Sequence, residues 1–291
     1  MTKKTDLKDV RESFMKVVFI VCTLASILAL GLILYFIFSN SIPTINKIGF
    51  KEFVTGMKWK PTSGDPKYGI LPMIVASIYA TFGAIVIGVP IGVFAAIFMA
   101  FYAPKKIYSV FKAGLNLMAG IPSVVYGLFA LTVVVPWIRN TFGGTGTSLL
   151  AAILVLATKI LPTVISLSES ALRAVPVSYY EGAVGLGASK ERAIMNVVLP
   201  AAKSGVLSSI ILGTGRAIGE TMAVTMVAGN SSVMPSSLLK GVKTLTANIV
   251  MEMSYADEFH TSALIATGAV LFAFILIINV LFNIVKKKAG E

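Results

Sequence analysis

The chain has little charge, and acid is scarcer still; the side chains that usually carry covalent or metal chemistry are almost missing. Among 291 residues there is one cysteine, Cys22, and one histidine, His260. A lone cysteine excludes a disulfide framework and a cysteine-based zinc site. His260 stands beside the acids Asp257 and Glu258 in a predicted outer loop, where a solvated imidazole is expected and not a metal ligand. No G-x-x-x-x-G-K-[ST] stretch occurs: residues 143–148 read Gly-Gly-Thr-Gly-Thr-Ser without the lysine, and Gly187-Ala188-Ser189-Lys190 has the wrong order. ATP chemistry therefore belongs to another subunit if it drives this chain. The sequence calls for no catalytic residue, metal or cofactor.

Long apolar runs fill the rest. Charged residues make up 13% of the chain, against about a quarter in soluble domains, and hydrophobic residues 56%. That balance is an integral membrane protein's. Six segments meet the length and polarity of a spanning helix: 17–38, 71–101, 113–135, 148–167, 206–229 and 262–285. The expected class is an all-α, six-span polytopic membrane protein. The first run is too long for a signal peptide and no small-residue cleavage site follows it, so a retained anchor is expected.

A net charge of +12 raises the question of nucleic acid. In a six-span chain the distribution of the cations is more informative than their sum. With the N-terminus inside, fifteen Lys and Arg fall on the inner side and eight on the outer, leaving Lys159 and Arg216 within predicted spans. The excess predicts both termini in the cytoplasm and a membrane-lipid environment, with no nucleic-acid partner. The outer loops 40–69, with Pro43, Pro61, Gly64 and Pro66, and 230–261, with Pro235, Gly241 and the acids Glu252, Asp257 and Glu258, are expected to be loops or short surface helices.

One inner connection, 169–203, is long enough to have a task of its own. After Pro176 it reads as two short helices with a glycine-permitted turn near Gly187. Within it, Glu181-Gly182-Ala183, three residues, Gly187, nine residues, Val197, one residue and Leu199-Pro200 follow one another. This spacing resembles the loop signature of ABC-importer permeases, with Gly182 and Val197 as mild departures. Gly120-Ile121-Pro122-Ser123-Val124-Val125-Tyr126-Gly127, Arg216-Ala217-Ile218-Gly219-Glu220-Thr221-Met222-Ala223, Trp59-Lys60-Pro61 and Tyr68-Gly69-Ile70-Leu71-Pro72 resemble the phosphate-specific branch of that family. Gly229-Asn230 with Met234-Pro235 and Ser237-Leu238 is similar to its PstC type of subunit more than to the PstA type.

The resemblance implies a type I importer permease fold. Residues 1–68 would form an N-terminal helix and outer loop, 69–285 the permease core with its coupling loop near 176–200, and 286–291 a tail. It also implies transport of inorganic phosphate by a subunit that is not itself an enzyme. The implied partners are a PstA-like second permease, two PstB-like ATP-binding subunits and a PstS-like outer phosphate-binding protein. Glu181, Gly182, Ala183, Gly187, Leu199 and Pro200 would then form the helix that docks on the ATPase. Another oxyanion, such as sulfate or molybdate, and a sensor or scaffold role are the alternatives.

Arg216 and Glu220 are the residues expected to carry function. Each charge at the centre of a membrane helix costs roughly 2.5–3.5 kcal/mol on insertion scales. Positions i and i+4 of one helix share a face. Three readings stay open: an internal salt bridge, a substrate path in which Arg216 offers its planar fork to an oxyanion, and a gate whose partners alternate. Gly213, Gly215 and Gly219 would either pack helices closely or open space beside the arginine. Lys159 is expected to snorkel to the headgroups, and Pro90, Pro122 and Pro162 to kink their helices.

Overall fold

The computed structural model describes residues 7–290. Lys3 and Lys4, counted above to the inner side, lie outside the described residues, as do the side chains of Lys8 and Lys288. The chain begins with α1 (Leu7–Ile48), which continues well past the expected end at residue 38 and carries Pro43 within it. A short helix α2 (Phe50–Thr55) and a two-stranded hairpin, β1 (Trp59–Lys60) against β2 (Lys67–Tyr68), follow. Apart from that hairpin and an isolated bridge between Gly229 and Val242, the regular secondary structure of the described residues is helical.

Next come α3 (Leu71–Phe101), α4 (Lys105–Gly120), α5 (Ser123–Phe142) and α6 (Leu149–Arg173). The inner connection holds α7 (Val177–Gly185) and α8 (Lys190–Ala201). Then α9 (Lys203–Gly219), α10 (Met222–Val227), α11 (Leu245–Glu252) and α12 (Glu258–Gly290) complete the chain. Among the described residues five helices are long and apolar enough to cross a bilayer, or six if α8 and α9, bent by 70° at their junction, count as one span. The protein is a multi-pass membrane protein.

Two of the predicted spans are not continuous helices. The segment 113–135 is divided between α4 and α5, because Pro122 has no N–H and pushes Ile121 out of the helical region to ψ 127°. The segment 206–229 is divided between α9 and α10 at Glu220 and Thr221, where no proline occurs. Two further distortions share one pattern. The π turns Ala130–Val134 and Ile194–Val198 each run into an X-Pro pair, Val135-Pro136 and Leu199-Pro200. A widened turn relieves the clash between a proline ring and the carbonyl four residues earlier.

The axis of the fold is α6. In its apolar window 67% of residues are buried, against 33% or less in the other four long helices, so α6 is enclosed by protein on most sides. The opposing faces are built of small residues, which let backbones approach where lipid is as apolar as leucine. On α3, a Cβ added at Gly88 would lie 2.8 Å from Ile160 Cδ1 and 3.1 Å from the Ala157 carbonyl oxygen. On α9, Gly205 meets Ala171, Gly213 meets Val164, and Ser209 shares a 2.7 Å hydrogen bond with Ser168.

An enclosed helix must have its ends satisfied. At the first end the Ser148 hydroxyl accepts from the Ala151 N–H, while the N–H groups of Ser148, Leu149 and Leu150 donate to the carbonyls of Val227, Lys240 and Leu238. At the other end buried Glu169 accepts from Lys112 (2.7 Å), Arg173 (2.5 Å) and Tyr108 (3.0 Å). Arg173 also donates to the Met99 carbonyl and Lys190 to the Phe101 carbonyl, so cations cap the last turn of α3.

The segments expected as loose outer loops form a packed cap. Phe53, Trp59, Tyr68, Ile70, Met73 and Leu245 share one buried cluster. At its centre Glu252 accepts from Trp59 Nε1 (2.8 Å), is ion-paired with Lys243, and shares a 2.8 Å hydrogen bond with His260 Nε2. His260 is therefore not the solvated side chain that its acidic neighbours suggested: it is 1% exposed, because the first turn of α12 closes over the hairpin.

Burial alone pushes the Glu252 carboxyl up; the Lys243 ammonium, the Trp59 N–H and His260 outweigh it and hold the group below its ordinary value of 4.5. A depressed carboxylate stabilises the fold above its unfolded value and loses that contribution as pH falls through the native value. Hydrogen-exchange protection factors of residues 243–260, which are corrected for the intrinsic pH dependence of amide exchange, should thus be high above pH 4.5 and fall below it. Glu252→Gln, which leaves the Lys243 charge buried without a partner, should cost about 3–5 kcal/mol and give the low protection at neutral pH.

Candidate functional site at two helix breaks

The contacts of α6 place both interruptions at one level. Tyr108 and Lys112 on α4 reach Glu169, and Ile121 just beyond α4 reaches Lys159, so this strand of the fold runs antiparallel to α6. The same holds for α9, where Gly205 lies against Ala171, Gly213 against Val164, and Arg216 against Thr163. Lys159 and Thr163 straddle the midpoint of α6, about 18 Å from either end at 1.5 Å per residue. Both breaks therefore lie near half-depth of the membrane. Irregular backbone there is tolerated only where protein or a polar cavity satisfies it.

Side chains meet freed backbone groups at both breaks. The Ile121 carbonyl accepts from Lys159 Nζ (3.3 Å). The ammonium also sits over the Tyr126 ring, 4.6 Å from its centroid, and the Tyr126 hydroxyl donates to the Met118 carbonyl (2.8 Å). Lys159 is half-buried in the middle of α6, which overturns the expectation that it snorkels to the headgroups. A carbonyl freed by Pro122 within reach of the ammonium is the physical reason.

At the second break the Glu220 carboxylate accepts from the Ala223 N–H through Oε1 (3.3 Å) and from the Ser123 hydroxyl through Oε2 (3.2 Å). It closes the start of α10 and ties it to the start of α5. These two segments pack closely, with Gly127 against Ala223 and Met226. From the outer cap, the Thr246 hydroxyl on α11 donates to the Glu220 carbonyl (3.3 Å). Glu220 has left the helix that holds Arg216, at φ −70° and ψ 123°, and the two residues form no ion pair. The internal salt bridge is absent from this conformation.

Arg216 instead donates from Nη1 to the Thr163 hydroxyl (2.6 Å), and its side chain lies on an exposed face of α9. Of the five N–H donors of a guanidinium, only this one finds an acceptor among the described residues. The glycines around it divide their roles. Gly213 is packed against Val164, while a Cβ at Gly215 or Gly219 would meet open space.

The predicted docking segment also takes shape. Gly187 adopts φ +88°, the left-handed turn expected there, between α7 and α8. Ser189 begins α8 by accepting from the Arg192 N–H. Glu181 and Gly182 are exposed and Ala183 is half-buried on α7, and Leu186 beyond it is 93% exposed. Leu199 and Pro200 lie at the end of α8, after the π turn and just before α9. Sequence reasoning missed three residues of the central site, Lys159, Thr163 and Ser123. Pro122 beside Gly120 was the available signal for a break, and only the fold shows which cation meets it.

Residues 88–290 match the family of the binding-protein-dependent transport system inner membrane component. The probable ABC transporter permease protein YqgH of Bacillus subtilis is 41% identical over 81% of this chain and 79% of its own length. The phosphate transport system permease protein PstC of Mesorhizobium japonicum is 32% identical over 86% of this chain and 82% of its own. Among solved structures, a chain of a bacterial ABC transporter importing the acidic polysaccharide alginate superposes with a TM-score of 0.62 at 14% identity, covering 96% of this chain and 100% of that one. A chain of the inward-facing MetNI methionine ABC transporter gives 0.61 at 18%, covering 76% and 95%. At such identities the structures establish the importer-permease fold.

The capping role of Glu220 separates two substitutions. Glu220→Ala removes the acceptor for both the Ala223 N–H and the Ser123 hydroxyl and should destabilise the protein by about 1–2 kcal/mol. Glu220→Gln retains an acceptor oxygen and should unfold close to the parent, as read by thermal unfolding in detergent.

Proposed function

Because the chain belongs to the family of binding-protein-dependent transport system inner membrane components, we propose that it is the permease subunit of an ATP-driven importer whose cargo is inorganic phosphate. The observation that carries the reading is Arg216. Its guanidinium stands at half-depth, held by one hydroxyl, with its other donors uncommitted and open space at Gly215 and Gly219. A fork of charge-assisted donors suits an oxyanion. The PstC relatives favour phosphate among the oxyanions.

Glu220 has two tasks in this reading. Its carboxylate closes the break at α10, and its negative charge weakens anion binding enough for release, since a site that binds too tightly does not conduct. The exposed face of Arg216 leaves room for a second, related permease subunit to complete the path. An outer binding protein would deliver phosphate, and two ATP-binding subunits would dock on the inner loop, with both termini on the cytoplasmic side. The inner loop is fastened to α3 through Lys190 and continues through Leu199-Pro200 into α9, the helix of Arg216. Residues 69–285 would form the transport core, with α1 as an added anchor.

Arg216→Gln should reduce ATP-dependent phosphate uptake at least tenfold while the complex still assembles. Sulfate uptake without phosphate uptake would replace the cargo, and unchanged phosphate flux in the variant would remove Arg216 from the path. Leu186→Asp tests docking of the inner loop. Burying a leucine is worth about 1.5–3 kcal/mol, so its loss should weaken ATPase association roughly tenfold to a hundredfold, measured by co-purification.

A further inference from the structure

We infer that Lys159 is a second anion contact in the translocation path, poised one turn along α6 from the Thr163 that holds Arg216. The inference rests on the reading of Arg216 as part of that path. Lys159 and Thr163 are four residues apart on one helix and so share a face. Arg216 approaches Thr163 from α9, while Lys159 reaches the break at Ile121. Ser123, two residues past Ile121, binds Glu220. One patch of half-depth surface thus gathers two cations and one carboxylate.

The charge balance of that patch is uneven. Glu220 is not ion-paired with either cation; its oxygens are occupied by the Ser123 hydroxyl and the Ala223 N–H. Lys159 has three N–H donors and, among the described residues, one protein acceptor, the Ile121 carbonyl, together with the face of Tyr126. A carbonyl and a ring face compensate an ammonium only partly away from water. An oxyanion between Lys159 and Arg216 would satisfy both, with one oxygen toward the guanidinium and another toward the ammonium. The long, flexible lysine stem permits exchange of the ammonium between the carbonyl and a passing anion.

A lysine that merely pins the break would be insensitive to cargo, and that difference supplies the test. Cys22 is the only cysteine of this chain, so Lys159→Cys in a Cys22→Ser background gives it one reactive thiol, and labelling is read on this subunit, with the Cys22→Ser assembly as the blank. The importer, assembled with its ATPase and binding protein in proteoliposomes, is treated with aminoethyl methanethiosulfonate, which restores an ammonium at the position. Uptake of inorganic phosphate should recover severalfold on labelling, and phosphate with ATP should slow the labelling at least threefold. Labelling at one rate with and without phosphate, while Arg216→Gln abolishes uptake, would overturn the role of Lys159 and leave the path reading standing. Parent-like uptake in Arg216→Gln would overturn the path reading itself. If the cysteine variant does not assemble, Lys159→Gln and Lys159→Arg decide. Glutamine can still donate to Ile121 but carries no charge, so uptake should fall at least tenfold with Gln and stay within threefold with Arg. Equal uptake in the two overturns the proposal.

Discussion

Backbone groups released at half-depth of a membrane have no water to turn to, and that constraint organises the centre of this protein. An unsatisfied N–H or carbonyl in hydrocarbon costs several kcal/mol. The Ile121 carbonyl is met by Lys159, the Ala223 N–H by Glu220, and Thr246 descends from the outer cap to meet the Glu220 carbonyl. The side chains that satisfy the breaks are largely the charged ones whose insertion would otherwise be unfavourable. Each difficulty compensates the other: an interrupted helix supplies partners for a buried charge, and the charge supplies partners for the interrupted backbone.

Around that centre, rigidity comes from α6 and its small-residue neighbours. Gly88 on α3 and Gly205 and Gly213 on α9 let three helices approach closely, and the Ser168–Ser209 hydrogen bond adds a polar tie. Both ends of α6 are closed by other elements, the outer loop at one and the Glu169 cluster at the other. The inner loop between α6 and α9 is fastened to this frame through Lys190, which together with Arg173 of α6 caps α3. Displacement of that loop would therefore be transmitted into α9 and not dissipated in a slack linker. In the outer cap the Lys243–Glu252–His260–Trp59 network joins segments far apart in the chain and holds α11 against the second break.

Much of this was legible in the residues. Long apolar runs located α1, α3, α6 and α12, since length and hydropathy alone separate a span from a loop. Gly187 announced its left-handed turn. Arg216 and Glu220 stood out because charge in an apolar run is costly wherever it lies. The family was recognisable from the spacing of 181–200, which is a local property of the chain. The buried His260 and Glu252 were not legible. Their acidic surroundings resemble those of a solvated loop, and their partner Trp59 is 193 residues away from Glu252.

The sequence by itself determined that the chain crosses the membrane several times, which connection is unusually long, and which charges need an explanation. These follow from composition and local spacing. Tertiary structure alone decided that the run 206–229 is broken where no proline occurs, that this break and the one at Pro122 meet at one depth, and that Arg216 and Glu220 face different partners. Periodicity describes a helix only while the helix continues. Whether a Gly-Glu-Thr or a Gly-Ile-Pro interrupts one depends on groups from other helices being present to receive the freed backbone, and the fold supplies those groups in Lys159, Ser123 and Thr246.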